Sequence, residues 1–268
     1  MITRFAPSPT GPLHLGHAFS ALTAFEAAQN AGGRFLLRME DTDTTRCRPE
    51  WEAQIYDDLA WLGVTWEEPV LRQSSNIAAY EAALAKLPTF ACICTRADLR
   101  AALTAAQERY GPDGLIYPGT CRNAGHAPHG AALRLDFARA SADLPDVLQW
   151  SERSEAHSYL SRNLSVQVGD IVLSRRDTGL AAYHLAVVVD DAAQGVTDVI
   201  RGEDLRAATV IHVALQHLLG LPTPRYHHHR LIRDDTGRRL AKRDDDRAIA
   251  TYRAEGASPA DIRAMVGL

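Results

Sequence analysis

A strand, a tight turn and a helix start follow one another within the first seventeen residues. That order restricts the fold more than any other stretch of the chain. Ile2 to Phe5 is a short apolar run, the segment after it is rich in proline and glycine, and His14-Leu-Gly-His17 opens a long alanine-rich segment. A strand, a loop and a helix N-terminus in that order form a phosphate-binding arrangement. Gly16 lets the backbone approach a bulky ligand, and His14 and His17 can donate hydrogen bonds to oxyanions. The glycine spacing fits neither G-x-G-x-x-G nor G-x-x-x-x-G-K-[ST], which argues against an ordinary dinucleotide or P-loop site.

Apolar recurrence near helical spacing predicts a helix over residues 15 to 30, stopped by Gly32-Gly33, and Arg34 to Met39 then reads as a buried strand. The polar loop Glu40 to Arg46 falls at the carboxyl end of that strand, where open α/β sheets bind ligands. Helices are expected at 49 to 62, with Pro49 in the first turn, and at 74 to 87, capped by Ser74 or Ser75. From Pro88 to Val168 the chain is rich in Gly and Pro with few periodic elements, which marks an insertion. Gly169 to Ser174 and Tyr183 to Asp190 read as buried strands of a parallel sheet. A helix follows from about Ala207 to Leu219, ended by Gly220, then a His-rich strand, a basic loop and a short helical tail.

The 268 residues suffice for one large α/β domain carrying an insertion. No apolar run is long enough to span a bilayer and no secretory signal pattern opens the chain, so the expectation is a cytoplasmic protein without a membrane partner or an evident obligate protein partner. A net charge of -4 is not that of a generic nucleic-acid coat, so RNA contacts must rest on local basic patches. Arg225, Arg230, Arg233, Arg238, Arg239 and Arg243 are the candidates.

Of four cysteines, Cys92, Cys94 and Cys121 cluster in sequence and point to a metal, while Cys47 reads as structural. With Tyr117 they offer three thiolates and a phenol, and zinc prefers four such ligands in a closed structural site. His126 or His129 is the alternative fourth ligand. His227-His228-His229 cannot converge on one ion, because adjacent strand side chains point to opposite faces.

Arg4 to His17 resembles the first signature of class I aminoacyl-tRNA synthetases, in the form used by the glutamyl enzymes. Arg239-Leu-Ala-Lys-Arg243 resembles the second, with Lys242 at the most telling lysine; the preceding Asp234-Asp-Thr-Gly237 is a turn former. The resemblance implies a Rossmann-like α/β catalytic domain with a zinc-binding insertion and a short α-helical C-terminal segment. It implies that the carboxylate of an amino acid attacks the α-phosphorus of ATP, with His14, His17 and Lys242 catalytic. Pro7, Gly11, Gly16, Arg239, Leu240, Ala241 and Arg243 join these three in binding ATP, accompanied by Mg²⁺. Arg4, Phe5, Ala6, Pro7, Ser8, Glu40, Tyr183 and Arg201 match the glutamate-binding positions. Two arginines suit a dicarboxylate and Glu40 its ammonium. Cys92, Cys94, Tyr117 and Cys121 match a zinc set, tyrosine included.

Segments 1–87 and 169–224 are expected to be the two catalytic halves, 88–168 the insertion, and 225–268 the signature loop and tail. About 25 residues follow Arg243, too few for the helical domain with which full glutamyl enzymes read the anticodon. The resemblance is therefore to a short paralogue that activates L-glutamate without tRNA and attaches it to queuosine at the wobble position of tRNA(Asp). A minimal enzyme charging the 3′ end of tRNA(Glu), and a non-catalytic synthetase-like binding module, remain as alternatives.

Overall fold

Alternate residues Phe35, Leu37 and Met39 share one face of an early strand, and in the computed structural model that face packs with two helices in one apolar core. The structure describes residues 1–103, 108–233 and 247–268. The strands are β1 (Ile2–Phe5), β2 (Arg34–Met39), β3 (Glu67–Arg72), β4 (Thr89–Cys92), β5 (Tyr110–Gly111), β6 (Gly114–Leu115), β7 (Ala132–Leu135), β8 (Val147–Glu152), β9 (Glu155–Leu160), β10 (Val172–Ser174), β11 (Asp198–Gly202) and β12 (Arg225–His229). The helices are α1 (Leu15–Asn30), α2 (Pro49–Trp61), α3 (Ile77–Leu84), α4 (Arg96–Ala101), α5 (Phe137–Ala140), α6 (Leu164–Gln167), α7 (Tyr183–Ala193), α8 (Thr209–Leu219), α9 (Ile249–Ala254) and α10 (Pro259–Val266).

The chain forms two compact units. The first comprises Met1–Ser75, Gly195–Arg206 and Pro224–Leu268. In it β1, β2 and β3 pair in parallel, β11 and β12 form a second parallel pair, and Thr197 joins the two by donating its amide to the Ile2 carbonyl at 3.0 Å. Residues of α1 and α2 pack on these strands in one core, with Leu22, Leu37, Ile55 and Leu59 at its centre and Ile249 and Ile262 of the tail helices inside it. Each such side chain contributes about 1.5–3 kcal/mol by leaving water. The fold is the expected α/β type.

Asp58 of α2 interrupts this core. It is 1% exposed, and neither carboxylate oxygen has a hydrogen-bond partner among the described residues. Burial, reinforced by neighbouring Asp57 and only partly opposed by Arg253, pushes its carboxyl up to about 6. A carboxyl raised in the folded state binds its proton more tightly there than in the unfolded chain, so stability falls as pH climbs from about 4 through 6. Asp58→Asn is therefore expected to stabilise the protein by about 1 kcal/mol at pH 7.5, after discounting for solvent screening, and to add nothing near pH 4. Thermal melts at both pH values test this; an equal shift at the two would contradict it.

The second unit comprises Asn76–Gln194 and Ala207–Thr223. Its three-stranded sheet has the order β10-β7-β4 and is antiparallel throughout, β8 and β9 form a hairpin, and α7 packs against α3 and α8. Three expectations need correction here. The segment Tyr183 to Asp190 is helix α7, not a strand. His184 to Val188, Asp190 and Asp191 are all buried, so no polar stripe betrays the helical period, and an apolar run of this length reads equally as a buried strand. Within Gly169 to Ser174 only Val172–Ser174 is strand, and it runs antiparallel to β7, because apolar continuity reports burial and not direction. Neither serine caps the helix after residue 74. The Ser74 amide and hydroxyl instead bond Asp41 at 2.8 and 2.5 Å, and α3 starts behind Asn76.

Candidate active site and metal centre

The signature histidines build the start of α1 before they do anything else. His14 is the N-cap, in extended backbone, and its Nδ1 accepts the Gly16 amide at 3.1 Å. His17 reaches back so that its Nδ1 accepts the His14 amide at 3.2 Å, and the two rings lie 3.8 Å apart. This is a capping box made from two imidazoles. A neutral imidazole that accepts at Nδ1 carries its proton at Nε2, so the cap fixes both rings as Nε2–H donors. The end of α1 adds its positive dipole to them. Gly16 suits this geometry: a Cβ there would sit 3.0 Å from His14 Cε1, so the capping ring would have to give by a few tenths of an ångström.

The residues of the first unit assigned to glutamate by the resemblance come from separate elements. Arg4 on β1 is 5% exposed and donates through Nη1 to the Ile200 carbonyl at 3.3 Å, one residue before Arg201. Arg201 on β11 is also 5% exposed. The Glu40 amide donates to the Pro7 carbonyl at 3.0 Å, which ties the end of β2 to the signature loop, and the Glu40 carboxylate lies 3.5 Å from Arg38 Nη2. Two buried guanidiniums and a half-buried carboxylate suit a ligand with two carboxylates and one ammonium. Ala6 and Ser8 are half-buried on the same loop, and Pro7 and Gly11 are buried. Phe5 packs its ring into the core, which leaves only its backbone for a ligand.

Tyr183 lies in the second unit at the first turn of α7, with its ring edge on His184 and His212. His184 bridges His212 through Nδ1 at 3.0 Å and Asp113 through Nε2 at 3.1 Å. Sequence reasoning missed this chain, because no spacing links residues 113, 184 and 212. Arg239, Leu240, Ala241, Lys242 and Arg243 lie outside the described residues, as does Arg238. Two of the proposed RNA-facing arginines have internal partners: Arg225 pairs with Asp198 at 2.8 Å, and Arg230 lies over the Phe19 ring and bonds the Val266 carbonyl.

In the second unit the cysteines do meet. Cys92 ends β4, Cys94 follows it, and Cys121 lies on the loop after β6; their sulfurs all lie within 4.8 Å of one another. Cys94 and Cys121 Sγ are 3.4 Å apart, and Tyr117 Oη lies 3.5 Å from Cys92 Sγ. Tetrahedral zinc with ordinary bond lengths sets sulfurs about 3.8 Å apart and oxygen about 3.5 Å from sulfur. The Cys92–Tyr117 separation matches, the Cys94–Cys121 pair would open by about 0.4 Å, and a sulfur pair at the 4.8 Å bound would close by about 1 Å. Among the described residues the cluster includes no histidine, which favours Tyr117 over His126 or His129 as fourth ligand. The Tyr117 oxygen is further oriented by the Cys121 amide, which donates to it at 2.7 Å. Arg134, also missed in the sequence, stacks its guanidinium 4.0 Å from the centre of the Tyr117 ring. Burial raises the Cys92 thiol, but Tyr117, Arg134 and the Cys94 backbone together outweigh it and bring Cys92 down to about 7; burial and Cys121 push Cys94 up to about 12. A bound cation favours the thiolate at all three.

The profile described as tRNA synthetases class I (E and Q), catalytic domain, matches residues 1–268. The chain is 56% identical to a Rhodobacter capsulatus protein named Glutamyl-Q tRNA(Asp) synthetase, over 100% of both chains. A protein of the same name from Deinococcus radiodurans is 43% identical over 97% of this chain and 86% of its own. Among solved structures, the glutamate-tRNA synthetase of Elizabethkingia anophelis superposes with a TM-score of 0.77 at 28% identity, over 99% of this chain and 61% of that one. The chain thus spans about three fifths of that solved relative's length. Methionyl-tRNA synthetase of Mycobacterium tuberculosis, at 10% identity and a TM-score of 0.59, shares the fold alone. Signature loop, capped histidines and full-length match agree: the chain belongs to the class I tRNA synthetases of the glutamyl and glutaminyl catalytic-domain family, and within it to the glutamyl-Q tRNA(Asp) synthetases.

Proposed function

We propose that the chain activates L-glutamate with ATP in the absence of tRNA and transfers it to queuosine at the wobble position of tRNA(Asp). The observation that carries this reading is that the unit whose first helix opens on His14 and His17 also holds two buried arginines, Arg4 and Arg201, and the half-buried Glu40. The names of the relatives support the same acceptor.

A glutamate carboxylate oxygen attacks the α-phosphorus of ATP, pyrophosphate leaves, and a mixed anhydride forms. An acceptor hydroxyl of the modified nucleoside then attacks the carbonyl carbon, and AMP leaves. Little covalent work falls to the protein; its part is positioning and charge stabilisation. The Nε2–H groups of His14 and His17 donate to phosphate oxygens as charge moves onto them, and Lys242 neutralises the departing pyrophosphate. Gly11, Gly16 and the 239–243 segment line ATP, and Mg²⁺ accompanies it. Arg4 and Arg201 hold the two glutamate carboxylates and Glu40 the ammonium, with Ala6, Pro7 and Ser8 alongside. Tyr183 is assigned to glutamate on the resemblance alone. Cys92, Cys94, Tyr117 and Cys121 hold a structural zinc ion, whose role is to stabilise its loops.

Labelled glutamate, ATP and bulk tRNA from cells with and without queuosine test the acceptor. Label is expected only in queuosine-containing tRNA; label in both would remove the proposed acceptor. Absence of glutamate-dependent exchange of pyrophosphate into ATP would remove the activation step itself.

A further inference from the structure

Arg201 is aimed from the neighbouring strand. β11 and β12 run parallel with Arg201 directly opposite His228, so the two side chains lie side by side on one face. Arg201 Nε donates to His228 Nε2 at 3.1 Å, and the residues are 5% and 1% exposed. Two further contacts hold the same guanidinium: its Nη2 donates to the Leu205 carbonyl at 3.1 Å, and its carbon lies 5.2 Å from the centre of the Tyr226 ring. Tyr226 precedes His228 by two residues on the strand, and their rings are parallel to within 2°.

The chemistry of this pair is specific. A guanidinium has five N–H donors, no acceptor and a permanent charge. The nitrogen facing Nε must therefore present a lone pair, which makes His228 neutral with its proton on Nδ1. A carboxylate side chain in place of the imidazole would also accept, but it would neutralise the cation before a substrate carboxylate could. Neutral imidazole fixes the direction of the fork and leaves its charge intact.

We propose that His228 is a positioning residue for glutamate recognition: it accepts from Arg201 Nε and thereby sets the orientation of the guanidinium that binds a substrate carboxylate. This rests on the assignment of Arg201 to glutamate, and the test separates the two. The substitution His228→Gln keeps a neutral acceptor oxygen at about the reach of Nε2. By contrast, His228→Asn withdraws that oxygen by one methylene, and His228→Met removes it at similar volume.

Steady-state pyrophosphate exchange should give a KM for glutamate raised about 10-fold in His228→Met and His228→Asn, and within about 2-fold of wild type in His228→Gln. KM for ATP should stay unchanged in all three, and kcat within about 3-fold. Because methionine can disturb folding at so buried a site, the Asn–Gln comparison, between two polar side chains, decides the matter if His228→Met is unfolded by circular dichroism. Equal glutamate KM in His228→Asn and His228→Gln overturns the inference, as does a parallel rise in KM for ATP. If Arg201→Gln raises the glutamate KM while no His228 variant does, the inference fails and the glutamate assignment stands. If Arg201→Gln leaves it unchanged, the assignment itself fails.

Discussion

His14→Asn is expected to keep its helix cap and lose most of its turnover. Asparagine Oδ1 stands at the same bond distance from the backbone as imidazole Nδ1, so it can still accept the Gly16 amide that His14 accepts at 3.1 Å. It has nothing at the position of Nε2–H. Removing one donor to a developing oxyanion costs about 10²–10³ in kcat, and the exchange assay should show that loss with the melting temperature nearly unchanged. His14→Ala loses cap and donor together, and should add a destabilisation of about 1 kcal/mol. Near-normal turnover in His14→Asn would reduce His14 to a capping residue. Equal stability of the two variants would instead deny the cap any weight.

The second large effect concerns the metal. Zinc in small structural sites contributes an apparent free energy of about 10–16 kcal/mol, or about 3 kcal/mol for each of four ligands such as Cys92, Cys94, Tyr117 and Cys121. Cys121→Ala should therefore weaken zinc binding by about 10²–10³-fold in competition with a chromophoric chelator. Tyr117→Phe should weaken it less, since water can replace the phenol, but it also strips the Cys121 amide of its acceptor. Cobalt substituted for zinc should give intense thiolate absorption in wild type and a weaker band in Cys121→Ala. Purified protein without stoichiometric zinc, or a Cys121→Ala variant that binds as wild type does, would remove the site.

Much of this was legible in the chain because local signals and burial agreed. Gly32-Gly33, Pro49 and Gly220 punctuate helices by backbone geometry alone, and α1, β2, α2 and α8 lie close to where their periodicity puts them. Helix α7 was not legible, because a segment buried nearly all round has no polar face to reveal its period. Direction and partner choice in β10 were equally hidden. In the site, the signature residues could be named from their types and order, whereas Asp113, Arg134, His212 and the role of His228 could not. Nothing in their sequence neighbourhood marks them, since their partners lie 17 to 71 positions away.

What the sequence by itself determined is the chemistry available: a phosphate-type loop with two imidazoles, two arginines and an acid suited to glutamate, and a soft donor set suited to zinc. The loop and the donor cluster follow from side-chain type and spacing, which folding does not change, while the glutamate set is what the resemblance to the glutamyl synthetases implies. Only the tertiary structure decided which atoms of those groups remain for that chemistry. The helix cap commits Nδ1 of His14 and His17 and so leaves their protons at Nε2, and the pairing of β11 with β12 sets His228 against Arg201 Nε. The physical reason is that a proton or lone pair is assigned by the partner facing it, and that partner is fixed by packing and register rather than by position in the chain.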